Sequence, residues 1–159
     1  MSDESVSVTL EQVSGYEFRV RFEESAIPDL ATDLSAPLGH DAGPNPERML
    51  TAAVVNCLAA SLLFSLGKFK NVPGGTIRAS ASARTGRNAE KRVRVEDIAV
   101  RIQLPGLAAD YTSLDRILTQ FEGFCTVTES VRQGVAVDVA VVDGSGAVLH
   151  QSRAGGPAA

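Results

Sequence analysis

The first part of the chain alternates apolar and polar positions in the way that β-strands do. Residues 6–10 and 16–22 each place an apolar side chain at every second position, and Ser14-Gly15 between them is a turn signal. A period of two on both sides of a turn predicts an antiparallel hairpin with one wet face. A short third strand is expected within residues 29–35.

A long apolar segment then predicts a central helix. Asn45 is a favourable N-cap, Pro46 suits the first helical position, residues 49–66 are almost all apolar or small, and Gly67 is the expected C-terminal stop. These 18 residues reach the lower limit for a membrane span. Because they include polar side chains and follow a hydrophilic hairpin, we interpret the segment as the core helix of a soluble domain, with no membrane partner. A helix that is apolar on all sides needs more cover than one chain of 159 residues provides, which indicates a dimer.

Strand patterns return in the second half of the chain. Apolar residues alternate over 77–83 and again over 93–104, with a polar turn at 85–92. The apolar parity of the later strand slips by one at Glu96-Asp97, which predicts a β-bulge.

An amphipathic helix is expected after Thr112 or Ser113, and it breaks just before Cys125. A final strand covers residues 135–141. The resulting order is βββ-α-ββ-α-(short α)-β, which is an α+β fold. We predict one domain over residues 1–150 and a disordered tail over 151–159.

Composition and charge exclude several functional classes. The net charge of −4 and the 5% aromatic content argue against a nucleic-acid partner. The N-terminus has no secretory signal pattern, so we expect a cytoplasmic protein. The two histidines, His40 and His150, have no metal-ligand spacing with each other or with a cysteine, and no glycine-rich phosphate loop is present. We therefore expect no metal and no cofactor. The basic residues over 84–94 are interpreted as a solvated turn.

The two cysteines are the main candidates for chemistry. Cys57 falls within the long helix and Cys125 at the break after the second helix. In the cytosol, two cysteines are either small buried apolar residues or a transient redox pair. Reactivity requires a stabilised thiolate. The dipole of its own helix cannot serve Cys57, because that effect fades within one turn, whereas Cys125 would lie at a helix N-terminus if residues 125–129 open a helix.

The residues around the first cysteine resemble a known family signature. Gly43-Pro-Asn-Pro-Glu-Arg-Met-Leu50, followed by an alanine-rich helix with Cys57 ten residues after Glu47, is similar to the OsmC/Ohr family of osmotically inducible and organic hydroperoxide resistance proteins. Cys125 before a valine-rich strand matches the second cysteine of that family. The resemblance implies antiparallel sheets wrapped around a long central helix in an intertwined homodimer.

The resemblance also implies an enzyme, a cysteine-based peroxidase. Cys57 would reduce an organic hydroperoxide and become a sulfenic acid, and Cys125 would resolve it to a disulfide. A dithiol reductant, either a lipoyl protein or a small thiol, would restore both thiols. Glu47 would orient a guanidinium toward the thiolate. Four apolar residues near the cysteines would favour an alkyl group on the substrate: Val54, Leu58, Phe64 and Phe124.

One feature of the family pattern is missing. Neither the hairpin turn at 13–16 nor the loop at 36–44 holds the arginine that the family carries in one of these places, and His40 and Asp41 stand in the loop instead. Three other arginines are candidates to replace it: Arg19, Arg21 and Arg48. The alternative hypothesis is a catalytically weak or inactive OsmC-like protein that binds a small apolar molecule at the dimer interface.

Overall fold

The computed structural model describes residues 5–154, which divide into two compact units. The first comprises the chain up to Ala52 together with Ser82–Ala99, and the second comprises Ala53–Ala81 and the chain from Val100 onward. Antiparallel sheets and one long helix make up the elements, which confirms the predicted α+β class.

A three-stranded antiparallel sheet forms the start of the first unit. Strands β1 (Val8–Ser14), β2 (Glu17–Phe22) and β3 (Leu30–Thr32) lie in the order β1-β2-β3. The predicted hairpin and short third strand are therefore confirmed. The apolar face of β1 is not covered, however: Leu10 is 59% exposed. The alternation in the sequence predicts that the apolar face of this strand is buried, but within one chain both faces of β1 are exposed.

The loop after β3 is organised around one buried carboxylate. The Asp33 side chain accepts backbone N–H groups from Leu34 (2.8 Å), His40 (2.9 Å) and Ala42 (3.2 Å). These bonds, with that of the His40 amide first, hold the pKa of Asp33 below its ordinary value. At Gly39 a Cβ atom would lie 2.2 Å from the Leu34 carbonyl oxygen, so this tight path requires glycine.

Helix α1 (Pro46–Lys68) begins where the sequence predicts. The Arg48 N–H donates to Asn45 Oδ1 at 2.9 Å, so Asn45 is the N-cap and Pro46 the first helical residue. The helix belongs to the first unit as far as Ala52 and to the second from Ala53.

The end of α1 corrects the prediction that Gly67 stops the helix. Gly67 is helical, and the left-handed residue is Lys70, with φ of +58°. The N–H of Asn71 donates to the Leu66 carbonyl at 3.0 Å and that of Lys70 to the Gly67 carbonyl at 2.9 Å. This pair of bonds is a Schellman motif, in which a lysine takes the place where glycine is usual.

By length and composition alone, α1 would suit a membrane span, with a mean hydropathy of 2.0 over its apolar window. The core helix of a soluble protein satisfies the same criteria. In this chain Leu62 and Leu66 pack with Ile117 of the second unit, and Ser61 donates to the Phe121 carbonyl at 2.6 Å. These contacts support the interpretation of α1 as a core helix.

Strands β4 (Arg78–Arg87) and β5 (Val93–Gln103) form a two-stranded sheet. The connecting turn starts at Asn88, three residues later than predicted. Along β5 the less exposed positions are Val95 and then 98, 100 and 102, which confirms the predicted change of parity.

Four helical segments follow within the described part of the second unit, and the first is a short 3₁₀ turn over Ala108–Asp110. Helix α2 (Leu114–Gln120) leads into a 3₁₀ turn over Phe121–Phe124, and α3 (Thr126–Gln133) begins directly after Cys125. Ile117 on α2 is completely buried at the centre of the unit's apolar core.

The C-terminal region contains a strand that the sequence reading missed. Strands β6 (Val137–Val142) and β7 (Val148–Ala154) form an antiparallel hairpin. Asp143 caps the turn by accepting the Ser145 N–H at 2.8 Å. Residues 151–154 therefore belong to a strand rather than to the predicted disordered tail, because they pair with β6. The rest of that predicted tail, 155–159, lies outside the described residues.

Candidate active site

The two cysteine side chains meet within the second unit. Cys57 lies in the middle of α1 and is partly buried, while Cys125 is the N-cap residue of α3 and is 0% exposed. Both are free thiols, and they hydrogen-bond to each other. The structure therefore brings together the two residues that the sequence singled out.

The first turn of α3 surrounds the pair with hydrogen-bonding groups. The Cys125 thiol donates to Thr128 Oγ1 at 3.0 Å. The backbone N–H groups of Val127 and Thr128 are directed at the sulfur of Cys57. A helix N-terminus is therefore available to Cys57 after all, although it is that of α3 and not of its own helix.

The two thiols differ in acidity. Burial raises the pKa of Cys57, and the hydrogen bond with Cys125 raises it further, while the N–H groups of Val127 and Thr128 oppose this. Burial also acts to raise the pKa of Cys125, but hydrogen bonds from the side chains of Cys57 and Thr128 outweigh it and lower that pKa. When the pair loses its first proton, the thiolate is therefore favoured on Cys125, and the Cys57 thiol donates a hydrogen bond to it.

Arg132 supplies a positive charge on the same helix. Its guanidinium pairs with Glu122 at 2.5 Å and with Glu129 at 2.8 Å, on either side of Cys125 in sequence. Burial acts to raise the pKa of Cys125, and the positive charge of Arg132 joins the hydrogen bonds in lowering it. The sequence reading did not select Arg132, although its spacing of three from Glu129 on a helix is a recognisable ion-pair signal.

Glu47 and the candidate arginines belong to the first unit. Glu47 is exposed in the first turn of α1, and its carboxylate forms no ion pair among residues 5–154. Arg48 pairs with Asp41 at 3.3 Å, and Arg21 with Asp29 at 3.4 Å.

The His40 side chain lies close to two carboxylates. Its Nδ1 lies 3.1 Å from Asp33 and its Nε2 lies 3.6 Å from Glu17. The basic residues of the β4–β5 hairpin are also accounted for, since Arg84 pairs with Glu96 and Asp97. No cluster of potential metal ligands occurs in the described part of the chain.

Comparison with known proteins identifies the family. The model of the OsmC-like protein family matches residues 39–140, well over half of the chain, so the chain belongs to the OsmC-like family. No match is found among proteins of curated function.

Solved structures share the fold at low sequence identity. An OsmC-like protein of unknown function from Vibrio cholerae is 17% identical, with a TM-score of 0.60 over 82% of this chain and 94% of that one. An organic hydroperoxide resistance protein OsmC from Legionella pneumophila is 15% identical, with a TM-score of 0.63 over 83% and 92%. An organic hydroperoxide resistance protein from Bacillus subtilis is 14% identical, with a TM-score of 0.59 over 81% and 91%.

Proposed function

We propose that the chain is a thiol-dependent peroxidase that reduces organic hydroperoxides through Cys57 and Cys125. The observation that carries the proposal is the pair of free thiols, hydrogen-bonded to each other at the N-terminus of α3. Family membership and the names of the Legionella and Bacillus proteins agree with this chemistry.

Accessibility favours Cys57 as the attacking sulfur. Cys125 is completely buried, whereas Cys57 is partly exposed. The pKa shifts instead favour the thiolate on Cys125, but a proton can pass along the hydrogen bond between the two sulfurs, and the pair titrates as one unit. When the proton moves to Cys125, the thiolate is on the sulfur that a substrate reaches.

The reaction then proceeds in balanced steps. The Cys57 thiolate attacks the terminal peroxide oxygen, the O–O bond breaks, and a sulfenic acid forms as alkoxide leaves. The alkoxide takes the Cys125 proton and becomes the alcohol. The Cys125 thiolate attacks Cys57 Sγ, which forms the disulfide and releases hydroxide, and hydroxide becomes water with a solvent proton. A dithiol, either a lipoyl protein or a small thiol, restores both thiols by exchange.

The surroundings of the pair favour an apolar alkyl group on the substrate. Phe124 precedes Cys125 and contacts Phe64 edge to face, with ring centroids 6.4 Å apart. Both rings are largely exposed. Glu47 is proposed, from the family resemblance, to orient a guanidinium toward the thiolate.

We further propose that the protein acts as a homodimer in the cytoplasm. Helix α1 leaves an exposed stripe of small and apolar residues that includes Ala53, Ala60, Leu63 and Phe64. The uncovered apolar faces of β1 and β6 support the same proposal, because large exposed apolar surfaces mark interfaces. Sedimentation of the reduced protein tests it, and a monomer at micromolar concentration would exclude it.

Stopped-flow oxidation by cumene hydroperoxide tests the catalytic proposal. The unaltered protein should lose both thiols rapidly and form an intramolecular disulfide. Cys125→Ser should lose one thiol at a similar rate and hold a sulfenic acid at position 57, which a dimedone label would locate by mass spectrometry. Cys57→Ser should react no faster than a free thiol. Fast oxidation of Cys57→Ser would instead make Cys125 the attacking residue.

The alternative is an OsmC-like protein with little or no catalysis that binds a small apolar molecule at the dimer interface. The raised pKa of Cys57, caused first by burial, favours this candidate. Oxidation of the unaltered protein at the rate of a free thiol would select it over the peroxidase.

A further inference from the structure

A small pocket in the second unit combines positive charges, aromatic rings and a hydroxyl group. Its volume is about 180 Å³, and its lining includes Ser65, Lys68, Phe69, Arg116 and Phe124. Neither cysteine is part of this lining. The pocket is thus next to the thiol pair and shares Phe124 with it, but it does not include either sulfur.

The two positive charges of the pocket are held against aromatic rings. Lys68 Nζ lies 5.1 Å from the ring centroid of Phe124 and 5.9 Å from that of Phe64. The guanidinium carbon of Arg116 lies 5.4 Å from the ring centroid of Phe69. Within residues 5–154 neither cation forms an ion pair, and the rings next to them carry no charge that would neutralise them.

A buried hydroxyl without a partner lies in the same pocket. Ser65 is 3% exposed, and its Oγ makes no hydrogen bond. Ser61, one turn earlier on α1, is also buried but donates to the Phe121 carbonyl at 2.6 Å. A buried polar group without a partner costs free energy, so an unpartnered Ser65 beside two cations points to an acceptor that is supplied from outside.

We propose that this pocket binds a small organic carboxylate with an aryl or short alkyl body. The carboxylate would pair with Lys68 and Arg116 and accept a hydrogen bond from Ser65, while its apolar body would contact Phe69 and Phe124. The volume of about 180 Å³ is below the range of drug-sized sites, which begins at about 300 Å³, and it suits a ligand the size of benzoate.

Titration of the full-length reduced protein with benzoate, followed by calorimetry and by amide chemical shifts, tests the site. Benzamide has nearly the same shape without the charge, and it should bind roughly tenfold more weakly because it lacks charge-assisted hydrogen bonds. Lys68→Gln and Arg116→Gln should each weaken benzoate binding by roughly fivefold to tenfold. Arg101→Gln, which removes an exposed positive charge from β5, should leave it unchanged.

Several outcomes would overturn the proposal. They are the absence of benzoate binding at millimolar concentrations, equal binding of benzamide, and equal loss of affinity in Arg101→Gln. The comparison of benzoate with benzamide uses the unaltered chain, so it decides the ligand class even if a variant fails to fold. None of these measurements depends on peroxide, so the failure of the proposed peroxidase would leave them intact.

Discussion

Two buried serines on α1 allow a matched test of what a satisfied hydroxyl contributes to stability. Ser61 and Ser65 lie one turn apart, and both are buried. Ser61 Oγ donates to the Phe121 carbonyl at 2.6 Å, whereas Ser65 Oγ has no partner. Replacement of each by alanine therefore removes the same atom from the same helix in two different environments.

The expected changes in the free energy of unfolding have opposite signs. Ser61→Ala leaves the Phe121 carbonyl without its donor, which should cost about 1–2 kcal/mol. Ser65→Ala removes a buried group with an unmet hydrogen bond, and it should stabilise by up to about 1 kcal/mol. The higher helix propensity of alanine contributes equally to both variants, so it cancels in their difference of about 2 kcal/mol. For a chain of this size that difference corresponds to about 4–8 °C in Tm.

Urea unfolding followed by far-ultraviolet circular dichroism measures the effect, since the chain contains no tryptophan. All variants need the same protein concentration, because any association contributes to stability. Equal dependence on urea would show that the folded and unfolded states are otherwise comparable. A loss of stability in Ser65→Ala as large as that in Ser61→Ala would refute the reasoning, and with it the view that Ser65 lacks a partner.

Three further predictions concern the helix end, the thiol pair and the buried carboxylate. Lys70→Gly should raise the free energy of unfolding by about 1 kcal/mol, because it removes a left-handed side chain, whereas Lys70→Ala should not; urea unfolding checks both. In a Cys57→Ser background, Thr128→Val should raise the pKa of Cys125, because it removes a hydrogen bond to the thiolate. Titration of the ultraviolet absorbance of the thiolate measures this pKa. The exposed Thr126→Val is the control. Asp33→Asn should destabilise the protein at pH 7, and its difference in stability from the unaltered protein should shrink as pH falls below about 4. The pKa of Asp33 is lower in the folded state than in the unfolded state, so the ionised carboxylate stabilises the fold above the unfolded-state pKa. This stabilisation is lost when the carboxylate is protonated. A difference that stays constant between pH 7 and pH 3 (about one unit below that value) would contradict this role of Asp33.

Features that depend on neighbouring residues were predictable from the sequence. The Asn45 cap and the change of parity in β5 are set by local hydrogen bonding and by side-chain alternation, and both are present. The end of α1 was predicted wrongly, because glycine is the usual helix stop but is also tolerated inside a last turn. What closes the helix is the pair of bonds around Lys70, which composition does not reveal.

The chemistry at Cys57 could not be predicted in the same way. Sequence reasoning correctly found that its own helix offers no stabilising terminus, but the N–H groups of Val127 and Thr128 come from a segment seventy positions away. Only tertiary packing brings that helix start to α1. The unpartnered state of Ser65 is likewise invisible in a sequence, because serine is common in apolar helices.

The contacts around the thiol pair also bear on its reduction potential. In the reduced protein the Cys125 thiol donates to Thr128 Oγ1, and the hydroxyl and backbone N–H of Thr128 favour the charged form of that sulfur. Interactions that stabilise the reduced form of a dithiol raise its potential, which makes the corresponding disulfide easier for a partner dithiol to reduce. In the proposed cycle, the groups that favour the thiolate would therefore also favour reduction of the disulfide by the partner dithiol. The hydrogen bonds of the first turn of α3 would thus affect both the oxidation of the thiols by peroxide and their recovery.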